Sequence, residues 1–115
     1  MSEVFIVGAD LAKRVFRLHA ADVGGHVIYR KKLSRAQFAK FLAEAPCCVI
    51  AIEACASVHH WGREAQFAGH GVRLVSAGGV KPFVKRHKSD AADAEAITEA
   101  ALRPSMRYVP VKTSA

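Results

Sequence analysis

Four acidic residues carry the chemistry that this sequence can support. Asp10 and Glu53 each follow an unbroken apolar run that is typical of a buried strand. Asp90 and Asp93 open an alanine-rich segment that is typical of a helix. If the two runs are neighbouring strands, their carboxylates meet at one edge of a sheet, and the helix can bring the other two there. Clustered carboxylates are preferred ligands of Mg²⁺, with Mn²⁺ an expected substitute, and a two-ion site drives phosphodiester chemistry.

Each of these acids also has a structural explanation. Asp10 can close a strand by bonding to its own backbone, and Glu53 can pair with a nearby arginine. Asp90 can cap its helix while Asp93 complements the helix dipole. The helix roles leave unexplained the flanking alanines, which would let the helix approach a sheet, while the small Gly8 and Ala9 before Asp10 would let a metal or phosphate approach the backbone. We therefore predict that all four acids are catalytic and bind metal.

A cationic segment directly precedes the alanine-rich helix. It interleaves basic side chains with Phe83, which is predicted to stack on a base or sugar, while the cations contact phosphates. The alternative is that this segment is simply a charged surface exposed to solvent. A histidine shortly after the second apolar run is also a candidate for substrate contact. The predicted nucleic-acid contacts are Lys81, Lys85, Arg86, Lys88 and His60.

Composition limits the classes of protein that fit. Seventeen Lys and Arg residues against ten Asp and Glu residues give a formal net charge of +7, which favours a polyanionic partner. The three cysteines form no C-x-x-C pair, so a zinc site or a disulfide framework is not expected, and they are predicted to be small core residues. No signal-peptide pattern and no membrane-spanning run is present, so we predict a cytoplasmic protein with no membrane partner.

The order of predicted elements indicates one α/β domain over residues 1–115. Three strands that form an antiparallel meander come first, and two further strands alternate with helices. This pattern predicts a mixed five-stranded sheet, with parallel strands beside the meander and helices on both faces. The predicted strands cover residues 4–8, 16–20, 26–32, 48–52 and 72–75, the helices follow Ser34, Val58 and Asp90, and residues 106–111 form a final extended segment.

Several motifs, taken in this order, identify a resemblance to a known family. They are Gly8-Ala9-Asp10, residues 52–61, residues 80–85, residues 88–94, and the following residues 103–107 and 109–112. The chain resembles the N-terminal DEDD, RuvC-like domain of bacterial insertion-sequence transposases of the bridge-RNA-guided recombinase family. Two positions depart mildly from that pattern, Ala9 for an isoleucine and Ser89 for an asparagine.

The resemblance implies a ribonuclease-H-like fold and DNA cleavage and transfer by a magnesium-dependent recombinase. It implies that Asp10, Glu53, Asp90 and Asp93 are the catalytic metal ligands, and that DNA and a guide RNA are partners of a homo-oligomeric full-length protein. The family also uses a serine nucleophile in a C-terminal domain. The chain ends before any such domain, so we expect an excised or truncated product that is inactive in recombination by itself.

Three alternatives compete with this interpretation. The first is a stand-alone nuclease of the Holliday-junction-resolvase type, which uses the same metals on branched DNA. The second is a catalytically silent nucleic-acid-binding module whose acids serve only as helix caps. The third, a fragment of an actin-like ATPase or sugar kinase, is disfavoured because the chain is short and its glycines are too sparse for phosphate loops.

Overall fold

The computed structural model describes residues 3–11, 15–54, 58–83, 90–104 and 106–111, with the backbone alone at residues 77 and 90–93. The strands are β1 (Ile6–Leu11), β2 (Phe16–Ala21), β3 (Val27–Leu33), β4 (Val49–Glu53), β5 (Gly71–Val75) and β6 (Tyr108–Val109). The helices are α1 (Arg35–Glu44), α2 (Val58–Phe67), α3 (Ala77–Val80) and α4 (Asp90–Ala101), with a 3₁₀ turn at Lys81–Phe83.

The strands form one mixed sheet in the order β3-β2-β1-β4-β5-β6. The antiparallel meander β1-β2-β3 and the parallel pairs β1-β4 and β4-β5 are as predicted. The sheet has one strand more than expected, because two residues of the predicted extended segment, Tyr108 and Val109, pair antiparallel with β5. A strand this short has no periodicity of its own, and it is defined only by the partner it finds.

Aromatic side chains fill the face of the sheet that is covered by α1 and α2. Phe16 from β2 meets Phe38 of α1 and Trp61 of α2 edge to face, with ring centroids 5.3 Å and 5.4 Å away. A capping box starts α1, since the Ser34 hydroxyl accepts from the Gln37 backbone N–H, and the Gln37 side chain accepts from the Ser34 N–H. The box sets the helix start that directs Phe38 into this core.

Small side chains dominate the opposite face, which α4 covers. The buried residues of this layer include Ala51 of β4 and Ala96, Ala100 and Ala101 of α4. Because alanines add little bulk, the axis of α4 can approach the sheet closely. The prediction that an alanine-rich helix would press onto the sheet is therefore confirmed.

A buried histidine joins α1 to β4. The His70 Nε2 lies 2.7 Å from the Leu42 carbonyl oxygen, and its Nδ1 accepts from the Cys48 backbone N–H at 3.2 Å. The prediction that the cysteines are core residues is wrong for Cys47, which is exposed, while Cys48 is half-buried. Cys47 lies in the turn before β4, where neither sheet face covers it, and Cys55 is outside the described residues.

None of the helices in the described ranges is long and apolar enough to cross a bilayer. α4, the longest of them, has 12 residues, whereas a membrane span needs about 20.

Candidate active site

The first two predicted acids lie on neighbouring parallel strands. Ala9 of β1 pairs with Ile52 of β4, and each is followed directly by one of the acids, Asp10 and Glu53. Both side chains are half-buried, and both interact with other protein groups. The parallel register therefore brings these two residues side by side at the carboxyl edge of the sheet, as the sequence predicted.

Both acids also belong to the face that α4 covers. Side chains alternate along a strand, so Asp10 shares a face with Gly8, and Glu53 shares one with Ala51. Ala51 lies in the core layer beneath α4. Gly8 is directly under that helix, because a Cβ at Gly8 would lie 2.9 Å from the Thr98 backbone nitrogen.

The direction of α4 places its first turn at the same edge. Its C-terminal end lies beside the turn between β2 and β3, where the Leu102 Cδ1 is 3.8 Å from a Cβ built at Gly25. That turn follows Ala21, which pairs with Ile6 at the start of β1. Since α4 ends where β1 begins, it begins where β1 ends. The backbone of Asp90 and Asp93, whose side chains lie outside the description, therefore starts α4 at the edge that holds Asp10.

Gly8 has a different role from the predicted one. We expected its small size to admit a metal or a phosphate beside Asp10. Instead α4 occupies that space, because a Cβ at Gly8 would meet the Thr98 hydroxyl and lie 2.7 Å from the Ala94 carbonyl oxygen. The Thr98 hydroxyl donates to that carbonyl at 2.9 Å, with the His19 carbonyl oxygen 3.2 Å away as a second acceptor. Gly8 is thus a positioning residue for the start of α4.

The donor set of this edge suits a hard divalent cation. Its four predicted ligands are carboxylates, and oxygen ligands are what Mg²⁺ and Mn²⁺ prefer. Among side chains that the structure describes, no group of three or more His, Cys, Asp or Glu residues is arranged to hold a metal. Two of the four, Asp10 and Glu53, belong to the described side chains. The backbone positions of Asp90 and Asp93 are compatible with a site of four carboxylates, and the contribution of their side chains to it stays a prediction.

The predicted nucleic-acid residues are only partly covered by the description. Lys81 is exposed in the 3₁₀ turn, and His60 is exposed in the first turn of α2, with its ring centroid 5.1 Å from that of Trp61. Trp61 is buried. The other three residues of this set, Lys85, Arg86 and Lys88, lie outside the described residues.

Phe83 has contacts within the protein. It is half-buried and packs against the core layer beneath α4. The Arg103 guanidinium lies 5.2 Å above its ring centroid. The Phe83 ring therefore has a protein cation as one neighbour near the C-terminal end of α4, and its stacking on a base or sugar stays a prediction.

Sequence reasoning missed a row of charged residues that crosses three strands. The backbone register pairs Asp10 with Arg17, and Arg17 with Lys32 on the edge strand β3. Residues paired in this way share a face, so both cations flank the acidic edge. The alternation of side chains along β2 and β3 indicated which face of the sheet bears Arg17 and Lys32, but only the register aligned these two cations with Asp10.

The chain is similar in sequence to several known transposases. No family model matches the chain. It is 55% identical over 108 residues to a probable family 20 transposase of Pseudomonas aeruginosa, covering 94% of this chain and 32% of the relative. It is 44% identical to the transposase of insertion sequence element IS1328 of Yersinia enterocolitica, and the match covers 98% of this chain and 34% of the relative. It is 42% identical to the transposase of insertion sequence element IS1111A of Coxiella burnetii, and that match covers 98% of this chain and 31% of the relative. The chain thus spans about a third of the length of the curated relatives that it matches.

A solved structure with the same fold is T. thermophilus RuvC in complex with a Holliday junction substrate. The TM-score is 0.63 at 14% sequence identity, and the match covers 87% of this chain and 91% of that chain. The fold is therefore RuvC-like, of the ribonuclease-H type, as the sequence predicted. The curated relatives named above are transposases, and this chain is similar to about a third of each of them.

Proposed function

We propose that this chain is the metal-dependent DNA-cleaving domain of a transposase, and that the parent protein cleaves and transfers DNA strands. The observation that carries the proposal is the convergence of three chain segments at one sheet edge. These are the end of β1 at Asp10, the end of β4 at Glu53 and the beginning of α4. The transposase homologues and the RuvC-like fold support the same conclusion.

In this proposal Asp10, Glu53, Asp90 and Asp93 hold Mg²⁺, for which Mn²⁺ substitutes. When bound, the ions supply charge stabilisation for a phosphodiester displacement. Asp10 and Glu53 are fixed by strand ladders, so their positions cost little reorganisation when DNA binds. The Gly8 contact with α4 keeps the backbone of this helix close to the sheet, and the half-buried surroundings of Asp10 and Glu53 limit the water around these two carboxylates.

The basic residues that precede α4 in the sequence, together with His60, are proposed to hold the DNA backbone. Lys81, Lys85, Arg86 and Lys88 belong to the segment between β5 and α4, and His60 to the first turn of α2. Phosphate contacts of this kind position a substrate without reading its sequence. The formal net charge of +7 favours such binding.

The family resemblance adds three proposals about the full-length protein. It binds a structured guide RNA, it assembles as a homo-oligomer around paired DNA sites, and it uses a serine nucleophile outside this chain. RNA that co-purifies with the protein, resists washing and is released by ribonuclease would support the first. Recovery of RNA-free protein that still recombines its own element would contradict it.

The cleavage experiment uses labelled DNA carrying the ends of the protein's own insertion sequence. We expect Mg²⁺-dependent cleavage by the full-length protein, and no cleavage in EDTA. Asp10→Asn and Glu53→Gln should each lower the rate by roughly 1,000-fold or more, because a lost ligand removes several kcal/mol of transition-state stabilisation. Circular dichroism should show an unchanged fold.

A matched aspartate provides the control. Asp22 lies in the turn at the opposite edge, where its side chain accepts from the backbone N–H groups of Gly24 and His26 at 2.9 Å. Asp22→Asn keeps an acceptor oxygen there and should leave the cleavage rate unchanged. Cleavage by Asp10→Asn at the rate of the unaltered protein would refute the ligand role.

Metal binding can be tested without cleavage. A ligand that binds the folded state raises its melting temperature. Mg²⁺ should therefore stabilise the unaltered protein and Asp22→Asn, but not a variant that combines Asp10→Asn with Glu53→Gln. Equal stabilisation of all three, or of none, would favour a catalytically silent module.

A second candidate is a junction-resolving nuclease. The observation that favours it is the RuvC-like fold, which has a TM-score of 0.63 over 91% of the RuvC chain. That RuvC was solved in complex with a Holliday junction substrate, which suggests the probe for this candidate. Symmetric cleavage of an immobile four-way junction, with no cleavage of insertion-sequence ends, would select it.

A further inference from the structure

We infer that Arg73 and Tyr108 are positioning residues for the candidate metal site, because together they hold the last carbonyl of α4 and so set where this helix begins. The inference rests on the proposed metal-dependent function. It adds two residues at the opposite end of α4 from Asp90 and Asp93, on the strands β5 and β6, to which the sequence assigned no role.

The last turn of α4 is capped in two different ways. The carbonyl oxygens of residues 98–100 accept from backbone N–H groups of the two residues that follow the helix, so the chain itself caps them. The carbonyl oxygen of Ala101 accepts from side chains of the sheet, 2.8 Å from the Arg73 Nη1 and 2.9 Å from the Tyr108 hydroxyl. The end of the helix is therefore bonded directly to β5 and β6.

The Arg73 guanidinium is held in place by its surroundings. Arg73 is half-buried, and its Cζ lies 5.7 Å from the centroid of the Phe5 ring and 5.5 Å from that of the Tyr108 ring. Aromatic rings attract an arginine cation, and the dipole of α4 favours a cation at its C-terminal end. Arg73 is thus a fixed donor to this helix rather than a loose surface cation.

The helix has a second contact with the same row of the sheet. Gly8, Ala51 and Arg73 are consecutive partners across β1, β4 and β5, so they share the face that α4 covers. The helix touches Gly8 through Ala94 and Thr98, and it is bonded to Arg73 at its last residue. Two contacts fix the tilt of α4, whereas the Gly8 contact alone would let the helix tilt about that point.

These two contacts link the position of one end of α4 to the position of the other. The Gly8 contact is centred near Ala96, which is six residues from Asp90 and five from Ala101, or about 9 Å and 7.5 Å along the helix axis. A tilt that moves the C-terminal end by about 1 Å therefore moves the first turn by about the same distance. Misplacement of a catalytic group by about 1 Å can lower a rate about 100-fold.

Local capping of the last turn is the simpler explanation, and hydrogen exchange distinguishes the two. The experiment follows residue-resolved backbone exchange along α4 in the full-length protein, in EDTA. Arg73→Met keeps an apolar stem beside the rings but removes the donor. We expect exchange over residues 94–101 to rise about 10-fold or more, the size expected for one lost hydrogen bond from a charged group. Local capping confines the rise to residues 99–101.

The second readout is the Kd for Mg²⁺, measured by isothermal titration calorimetry without DNA. Arg73→Met should raise this Kd about 10-fold, and Tyr108→Phe about 3-fold because its hydroxyl is a neutral donor. Arg73→Lys should recover most of the loss, since its ammonium still donates. The matched control is Arg107→Met, which removes an exposed arginine one residue before Tyr108 and should change neither readout.

Both readouts must change for the inference to stand. A rise in exchange confined to the last turn, an unchanged Kd in Arg73→Met, or equal changes in Arg107→Met each overturn it. If circular dichroism shows that Arg73→Met is misfolded, Tyr108→Phe decides, because this 40% exposed ring loses only its hydroxyl. Unchanged exchange at residues 94–97 and an unchanged Kd in that variant then overturn the inference.

The two proposals fail separately. An unaltered protein that binds neither Mg²⁺ nor Mn²⁺ contradicts the proposed function, and exchange alone then decides whether Arg73 and Tyr108 position α4. Metal binding and DNA cleavage that are the same in the unaltered protein and in all the variants keep the proposed function and remove these two positioning residues.

Discussion

The two faces of the sheet are packed with different kinds of side chain. Beneath α1 and α2 lie Phe16, Phe38 and Trp61, whose rings interlock edge to face. Beneath α4 the layer is made largely of alanines, and Gly8 touches the helix backbone. The aromatic face is filled by large rings, whereas the face beneath α4 brings a helix close to strand ends. The first face chiefly stabilises the domain, and the second positions the candidate site.

The largest expected effect tests the aromatic face. Phe38→Ala should lower the free energy of unfolding by about 3–5 kcal/mol, because it leaves a cavity among fully buried rings. The matched control is Phe67→Ala, whose side chain is 94% exposed at the end of α2, with an expected change within about 0.5 kcal/mol. Urea unfolding measures both. Similar losses in the two variants would remove the distinction between core and surface rings.

The next effect tests the alanine face. Gly8→Ala should cost about 1–3 kcal/mol by overpacking, because the new Cβ would lie 2.7 Å from the Ala94 carbonyl oxygen. The cleavage rate should also fall by more than the loss of folded protein explains, because α4 must move away from the edge that holds Asp10. Gly71→Ala is the control, because a Cβ there comes only within 3.7 Å of Val49. Full cleavage activity in Gly8→Ala would show that the contact does not position α4.

A smaller effect separates hydrogen bonding from packing on that face. Thr98→Val keeps the shape of the side chain but removes the hydroxyl that donates to the Ala94 carbonyl oxygen. We expect a loss of about 1 kcal/mol in urea unfolding, and Thr98→Ser should retain most of the stability. A larger loss of stability in Thr98→Ser than in Thr98→Val would mean that the methyl group, rather than the hydroxyl, matters.

The smallest expected effect concerns the Cys48 thiol, which lies where the aromatic face reaches the start of β4. Burial, with a contribution from the charge of Cys47, raises the pKa of the Cys48 thiol to about 11. Since the folded pKa lies above the ordinary value of 9.0, the contribution to stability is full below pH 9 and is lost as the pH rises towards 11. Cys48→Ala should therefore lose less stability than the unaltered protein between pH 8 and pH 10.5, as measured by urea unfolding.

The same thiols differ in accessibility. At pH 8 iodoacetamide should modify the exposed Cys47 first, and Cys48 roughly 10-fold or more slowly than in the urea-unfolded chain, because its thiolate is scarce. Peptide mass mapping distinguishes the two sites. Equal rates for Cys48 in the folded and unfolded protein would contradict the burial of this thiol.

Local patterns predicted the elements well wherever neighbours in the chain decide the structure. The Ser34 capping box, the apolar stripe through Trp61 and the meander at the start of the chain all depend on residues a few positions apart. The strand β6 and the exposure of Cys47 were not predicted, because each depends on what lies next to it in space. The packing of Phe83 against Arg103 was missed for the same reason.

The sequence by itself determined the fold class, the helix starts and the positions of Asp10 and Glu53 after two apolar runs, because side-chain periodicity and capping are local properties. Only the tertiary structure decided which partners these residues meet. The parallel register set the two acids side by side, and the antiparallel register aligned Arg17 and Lys32 with Asp10. The direction of α4 and its contact at Gly8 were also decided there, because register and helix direction arise from packing between segments far apart in the chain.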